Sequence, residues 1–303
     1  MSVVIQAVPM TPWLFAVPLA SALIYVAAVL MIKRAADLGA GLWHSAVVCN
    51  VLGALMFQGL LVFGGKWLPW MQWWQPLLVA VLSLGGQTLT FYSLQRGDVS
   101  IATPVLGLKI ILVAVFTTLL LAQSLAWPLW LAAALSTAGI ATLNHTGARP
   151  AGAKTTATIL SAGCAAVAFA LFDVLVQKFS PNWGIGRFLP LTMGLVGVFS
   201  LPLIWLFPAP LRGLPRPALG WLLSGGALFA FQSLILVSCI ARFGQVTALN
   251  VVYSSRGVWS VVAVAILGRY FQASETLSPL MLRWRLAGAA LLFSAILLVL
   301  TQR

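Results

Sequence analysis

Apolar residues in this chain come in runs long enough to cross a bilayer, separated by short polar joins. A run of about 20 residues is the length a helix needs to span the hydrocarbon layer. Ten such runs stand at 12–32, 42–63, 73–94, 98–121, 126–143, 156–178, 185–207, 218–240, 246–267 and 282–301. Gly and Pro punctuate the joins, as in Pro208-Ala209-Pro210 and Pro215-Arg216-Pro217. The longest polar stretch, Asn144 to Lys154, falls near the middle. The pattern predicts an all-α integral membrane protein with ten transmembrane helices in two five-helix halves, 1–145 and 156–303, joined by a linker at 146–155. A half with an odd number of helices returns the chain to the opposite face. The second half therefore enters inverted, an arrangement whose usual use is alternating access to a site near the midplane.

Composition agrees. The 303 residues are 61% hydrophobic and 7% charged, where a soluble domain would be roughly a quarter charged. The solvent for most of this surface is lipid. The net charge of +13 sits mostly on Lys and Arg in the short joins, which is membrane topology and not a nucleic-acid surface. Setting aside Lys109 and Arg256, ten bases lie on the side of the first join and five on the other, which with those two makes all 17. The positive-inside rule then puts both termini outside the cytoplasm. Residues 1–11 lack a basic n-region and the first run is long enough to span, so a cleavable signal is not expected. Cys49, Cys164 and Cys239 each lie inside an apolar run and form neither a disulfide framework nor a metal pattern.

The two halves resemble each other. "GDVSIATPVLGLK", Gly97 to Lys109, aligns without a gap to "GQVTALNVVYSSR", Gly244 to Arg256. Gly85-Gly86 matches Gly225-Gly226, which sets Tyr92 opposite Gln232. "MIKR", from Met31, stands opposite "LVQK", from Leu175, in the first helices. The last helix of each half is rich in small residues, Ala132, Ala133, Ala134, Ala138 and Gly139 against Ala287, Gly288, Ala289, Ala290 and Ser294, which allow close packing in lipid. On these features the chain resembles the drug/metabolite transporter superfamily, in its ten-helix EamA-like branch, over nearly its whole length. The stretch "GDVSIATPVLGL" is the most specific part. The resemblance implies a multi-pass protein of a bacterial inner (plasma) membrane that moves small molecules, and members often have cytoplasmic termini, opposite to the charge count. The family pattern usually places a Gly-Glu pair after the fourth helix of a repeat. Here those places read Ala122-Gln123 and Gly268-Arg269, so both acids are missing.

Candidate chemistry is sparse. There is no GxxxxGK[ST] loop and no HExxH, and only His44 and His145 occur, so neither P-loop ATP binding nor a catalytic zinc is expected. No cofactor and no enzymatic activity are expected, and transport is secondary or passive. Lys109 and Arg256 each stand about eleven residues into a run, roughly 16 Å at 1.5 Å per residue, near mid-depth of a ~30 Å core. A base there faces the bundle interior. It either grips substrate or donates to carbonyls of a broken helix. Of the four acids, Asp37, Asp98 and Glu275 fall in joins or at helix ends; only Asp173 lies within a run. Asp173 is a proton-coupling candidate, a partner for a buried base, or a helix-end residue reaching headgroup water.

Two cations and one carboxylate leave room for an anionic substrate group. Tyr253, Trp259 and Ser260 share the face of Arg256 at i−3, i+3 and i+4. Tyr92, Gln232, Gln87 and Tyr25 complete an interior suited to a mixed apolar and polar metabolite. The expected function is a secondary transporter or exporter, by alternating access, of a small anionic or zwitterionic metabolite such as an amino acid, organic acid or phosphorylated metabolite. A flippase for a lipid-linked headgroup is the alternative, and a membrane-embedded enzyme a remote one. Expected partners are the small-molecule substrate, membrane lipid and protons, with no nucleic acid, in a monomer or homodimer.

Overall fold

The structure is a computed structural model, and it describes residues 13–96, 99–143, 153–267 and 279–301. All regular structure among these residues is helical. The helices are α1 (Trp13–Asp37), α2 (Leu42–Gln58), α3 (Trp74–Arg96), α4 (Val99–Gly107), α5 (Lys109–Leu121), α6 (Trp127–Leu143), α7 (Ala153–Trp183), α8 (Ile185–Ser200), α9 (Arg216–Phe243), α10 (Val246–Tyr253), α11 (Arg256–Leu267) and α12 (Pro279–Leu300). Short 3₁₀ turns extend α2 through Gly59–Phe63 and α8 through Leu201–Leu206. Among the described residues, eight segments are long and apolar enough to cross a membrane. Trp127–Leu143 is an apolar helix of 17 residues, and the run read at 246–267 is divided between α10 and α11. Residues 146–152 of the expected linker, Asp98, Glu275 and the Gly268-Arg269 pair lie outside the described residues, and the last three linker positions already belong to α7.

Two runs read as single spans are each a pair of helices meeting at a tightened turn. Between α4 and α5 the Leu108 N–H bonds the Val105 carbonyl, three residues back. Between α10 and α11 the Ser255 and Gly257 N–H groups bond the Val252 and Ser254 carbonyls, again three back. Such 3₁₀ stretches inside helices are common where strain or function requires a change of direction. In the first pair Pro104 contributes, because its ring nitrogen has no hydrogen to give the ladder. Each base of interest is the first residue after its turn.

The packing crosses between the two ends of the sequence. α1 lies on α9 and α3 on α7, while α2 meets α8 and α6 meets α12. α4 and α5 pack on α7, and α10 and α11 pack on α1. The main core surrounds α7 and includes Phe172, Leu175, Trp183, Phe188, Ile240 and Tyr253. At the α6–α12 crossing a Cβ on Gly139 would lie 3.0 Å from the Gly288 carbonyl oxygen, and one on Gly288 only 2.8 Å from that of Gly139. The two backbones touch there, as the small-residue pattern anticipates.

Among the described residues, two other than glycine occupy the left-handed region, Ala122 at φ 51° and Gln245 at φ 58°. They close the turns after α5 and before α10. Gln177, on α7, ties both turns together: its Oε1 accepts the Val246 N–H at 2.8 Å, and its Nε2 donates to Gln123 Oε1 at 3.2 Å.

Candidate functional site

Lys109 reaches from the start of α5 to Asp173 on α7, Nζ to Oδ2, at 2.7 Å. The Asp173 side chain is 4% exposed and that of Lys109 18%. One turn earlier on α7, Phe169 places its ring 5.9 Å from the ammonium. Gly86 of α3 lets that ring approach, since a Cβ there would meet it at 3.2 Å. Of the three roles open to Asp173, the geometry shows the partner of a buried base. It is not a helix-end residue, being ten positions short of the end of α7.

Arg256 is held differently. Its Nη1 donates to the Tyr253 hydroxyl at 3.2 Å, and that hydroxyl donates to Gln232 Oε1 at 3.0 Å. Ser21 Oγ also reaches Gln232, 3.1 Å from Oε1 and 2.9 Å from the main-chain oxygen. The guanidinium lies 4.7 Å from the Tyr25 ring centroid and 4.6 Å from that of Tyr253. The two rings meet edge to face at 6.0 Å. Aromatic faces attract a desolvated guanidinium by about 2 kcal/mol, which offsets part of the penalty of burying it. Among the described residues no carboxylate lies within ion-pair distance of Arg256. Neither base donates to a main-chain carbonyl among the described residues.

Other polar groups near Arg256 are buried without a hydrogen-bond partner, the Trp259 indole Nε1 and the Ser255 hydroxyl. A buried donor left unpaired costs about 1–3 kcal/mol. Gln87 does not join this cluster. It makes a reciprocal amide pair with Asn50 of α2, at 2.8 and 3.2 Å. Tyr92 is 43% exposed, unlike its alignment partner Gln232, which is buried. Ser260 is half-buried on α11. The structure thus gathers Lys109 with Asp173, and Arg256 with Tyr253, Tyr25 and Gln232. Ser21 and Asn50 escaped the sequence reading; each is a polar residue within an apolar run, which is the signal that could have found them.

An open apolar groove of about 480 Å³ runs beside the α4–α5 turn, lined by Pro104, Val105, Leu108, Ile111, Thr137 and Ala138 among others. Among the described residues no group of three His, Cys, Asp or Glu side chains converges as a metal site would need.

A helical bundle of this apolarity, with ionised side chains turned inward, is a multi-pass integral membrane protein. Residues 11–144 match the EamA-like transporter family, in agreement with the drug/metabolite transporter resemblance. That family consists of membrane transporters, and the match points to movement of small molecules. No curated protein matches the chain. A protein of known crystal structure shares the fold, with a TM-score of 0.77 at 15% sequence identity, over 96% of this chain and 99% of its own.

Proposed function

We propose that the protein is a secondary transporter or exporter in which two inverted five-helix halves alternate access to a small metabolite bearing an anionic group. The observation that carries the substrate charge is Arg256. Lys109 is neutralised by Asp173, whereas the Arg256 guanidinium is held by two tyrosine rings and a hydroxyl, with no carboxylate of its own. The cluster of two bases and one acid has a formal charge of +1. A carboxylate or phosphate would complete it and give the Trp259 and Ser255 donors an acceptor. The crossed packing supports the inverted halves. A two-fold axis that exchanges the first and second five helices converts the α1–α9 contact into the α7–α3 contact, and maps α2–α8 and α6–α12 onto themselves.

The test is a thermal-shift titration of the purified protein with amino acids, organic acids and phosphorylated metabolites. A ligand at 100 times its dissociation constant stabilises by about 2.7 kcal/mol. Stabilisation by anionic but not by matched neutral compounds is expected, and it should fall in Arg256→Gln. Equal stabilisation of wild type and variant would remove the anion-site reading.

The groove beside Leu108 favours a second reading, a flippase for a lipid-linked headgroup. It is apolar, opens laterally and borders the residue next to Lys109. Under that reading the lipid-linked compound stabilises the protein and its water-soluble headgroup does not.

A further inference from the structure

Where α2 leaves the bundle and α3 begins, the chain folds back onto the junction of α7 and α8. The Lys66 N–H donates to the Trp183 carbonyl at 2.8 Å and pins the loop there. Gly65, at φ +135°, lies so close that a Cβ would fall 2.9 Å from Cγ of Arg187. The loop therefore grips the Arg187 stem. Above it the guanidinium sits 5.2 Å from the Trp67 ring centroid. Trp67 stacks on Trp73 at 6.1 Å, and Trp73 meets Trp183 edge-on at 6.4 Å. The Trp183 indole is anchored in turn by its N–H to Gln75 Oε1 at 2.8 Å. Arg187 thus stands on a fixed aromatic platform.

Nothing in the described structure neutralises it. The one ion pair there is Lys109–Asp173, and the Arg187 Nε is buried with no hydrogen-bond partner. A guanidinium presents five donors in a planar fork that fits a phosphate bidentately. Lys66, exposed on the pinned loop, adds a second positive charge next to it. The surroundings fix the depth of the ligand. Trp67, Trp70, Trp73 and Trp74 are all exposed, as are Val62, Phe63 and Met71. Tryptophans gathered at one end of a membrane bundle mark the headgroup layer. An anion that meets an arginine fork at that level, against exposed apolar side chains, has both a phosphate and acyl chains.

We propose that Arg187 and Lys66 form a binding site for the phosphodiester of an anionic membrane phospholipid, with the exposed tryptophans of the loop against its glycerol and upper acyl region. The site is separate from the Arg256 cluster and does not depend on what that cluster transports.

The experiment titrates the detergent-purified full-length protein with phosphatidylglycerol, phosphatidylcholine and inorganic phosphate, reading lipid adducts by native mass spectrometry and stability by melting. Phosphatidylglycerol is expected to bind saturably, and phosphatidylcholine at least about tenfold more weakly. Arg187→Gln should weaken phosphatidylglycerol by about tenfold, the effect of one charge-assisted hydrogen bond. Lys66→Gln should weaken it by less, and Arg187→Lys should retain part of the affinity. Arg216→Gln, an exposed base at the start of α9, should leave it unchanged. Should Arg187→Gln fail to fold, Lys66→Gln and Arg187→Lys decide the matter, and wild-type affinity in both overturns the proposal. Equal binding of the two lipids also overturns it. Competition by inorganic phosphate at the concentrations at which the lipid binds would assign the site to a soluble anion, and likewise overturns it.

Discussion

At the scale of single residues, the two bases have opposite requirements. Lys109 and Asp173 depend on each other, and removing one strands the other in a poorly solvated place. Breaking such a pair costs about 3–5 kcal/mol, whereas replacing both partners by apolar groups of similar volume is often neutral. Asp173→Asn should therefore lower the melting temperature strongly, while Lys109→Met/Asp173→Leu recovers most of the stability. A loss in the double variant equal to the sum of the two single losses would show that the pair is not coupled. Arg256 holds its charge by ring faces and one hydroxyl, and its fork is what a substrate anion would use. Arg256→Lys should leave the fold intact but weaken substrate affinity by about tenfold, because a compact ammonium cannot replace a bidentate grip. Binding isotherms of the stabilising metabolite measure that difference.

At the scale of helices, the turn after α5 records a change in sequence from the family's Gly-Glu pattern. Ala122 stands where glycine is usual and still adopts φ 51°, ψ 32°. A left-handed alanine costs about 1–2 kcal/mol, offset in part by the greater freedom glycine regains on unfolding. Ala122→Gly should raise stability by about 0.5–1 kcal/mol, read as an increase in melting temperature with transport unaffected. The glutamate position was legible as a departure, but its consequence was not. Gln123 is tied to Gln177, and Gln177 caps α10 through the Val246 N–H, a bond between residues 69 apart in sequence. Apolar run length located the eight segments that are long enough to cross lipid among the described residues, because a span needs about 20 apolar residues. It could not give the turns at Leu108 and at Ser254-Ser255, since only Pro104 among the nearby residues breaks helical bonding outright. The depth of Lys109 and Arg256 was readable from position. Which of them meets Asp173 was not, nor that Gln87 turns to Asn50, because side-chain partners depend on how helices rotate against each other.

At the scale of the whole molecule, inverted halves make a statement about sidedness. Cysteines placed at Ala151 and Gln302, in a background without Cys49, Cys164 and Cys239, should be labelled from opposite faces of the membrane. Labelling of both from one face would exclude the inversion. A second consequence follows from Arg256 lacking an acid of its own. Once a monoanion is bound, the loaded site is electrically neutral; the empty site carries one positive charge. Moving a full charge through 100 mV involves about 2.3 kcal/mol, so a membrane voltage acts on the unloaded protein and hardly at all on the loaded one. In proteoliposomes, a potassium-diffusion potential should alter the rate of net flux, which requires the empty protein to reorient. One-for-one exchange of labelled for unlabelled substrate, which never passes through the empty form, should ignore it. The same voltage response in both modes would mean that some other group already cancels the charge of Arg256.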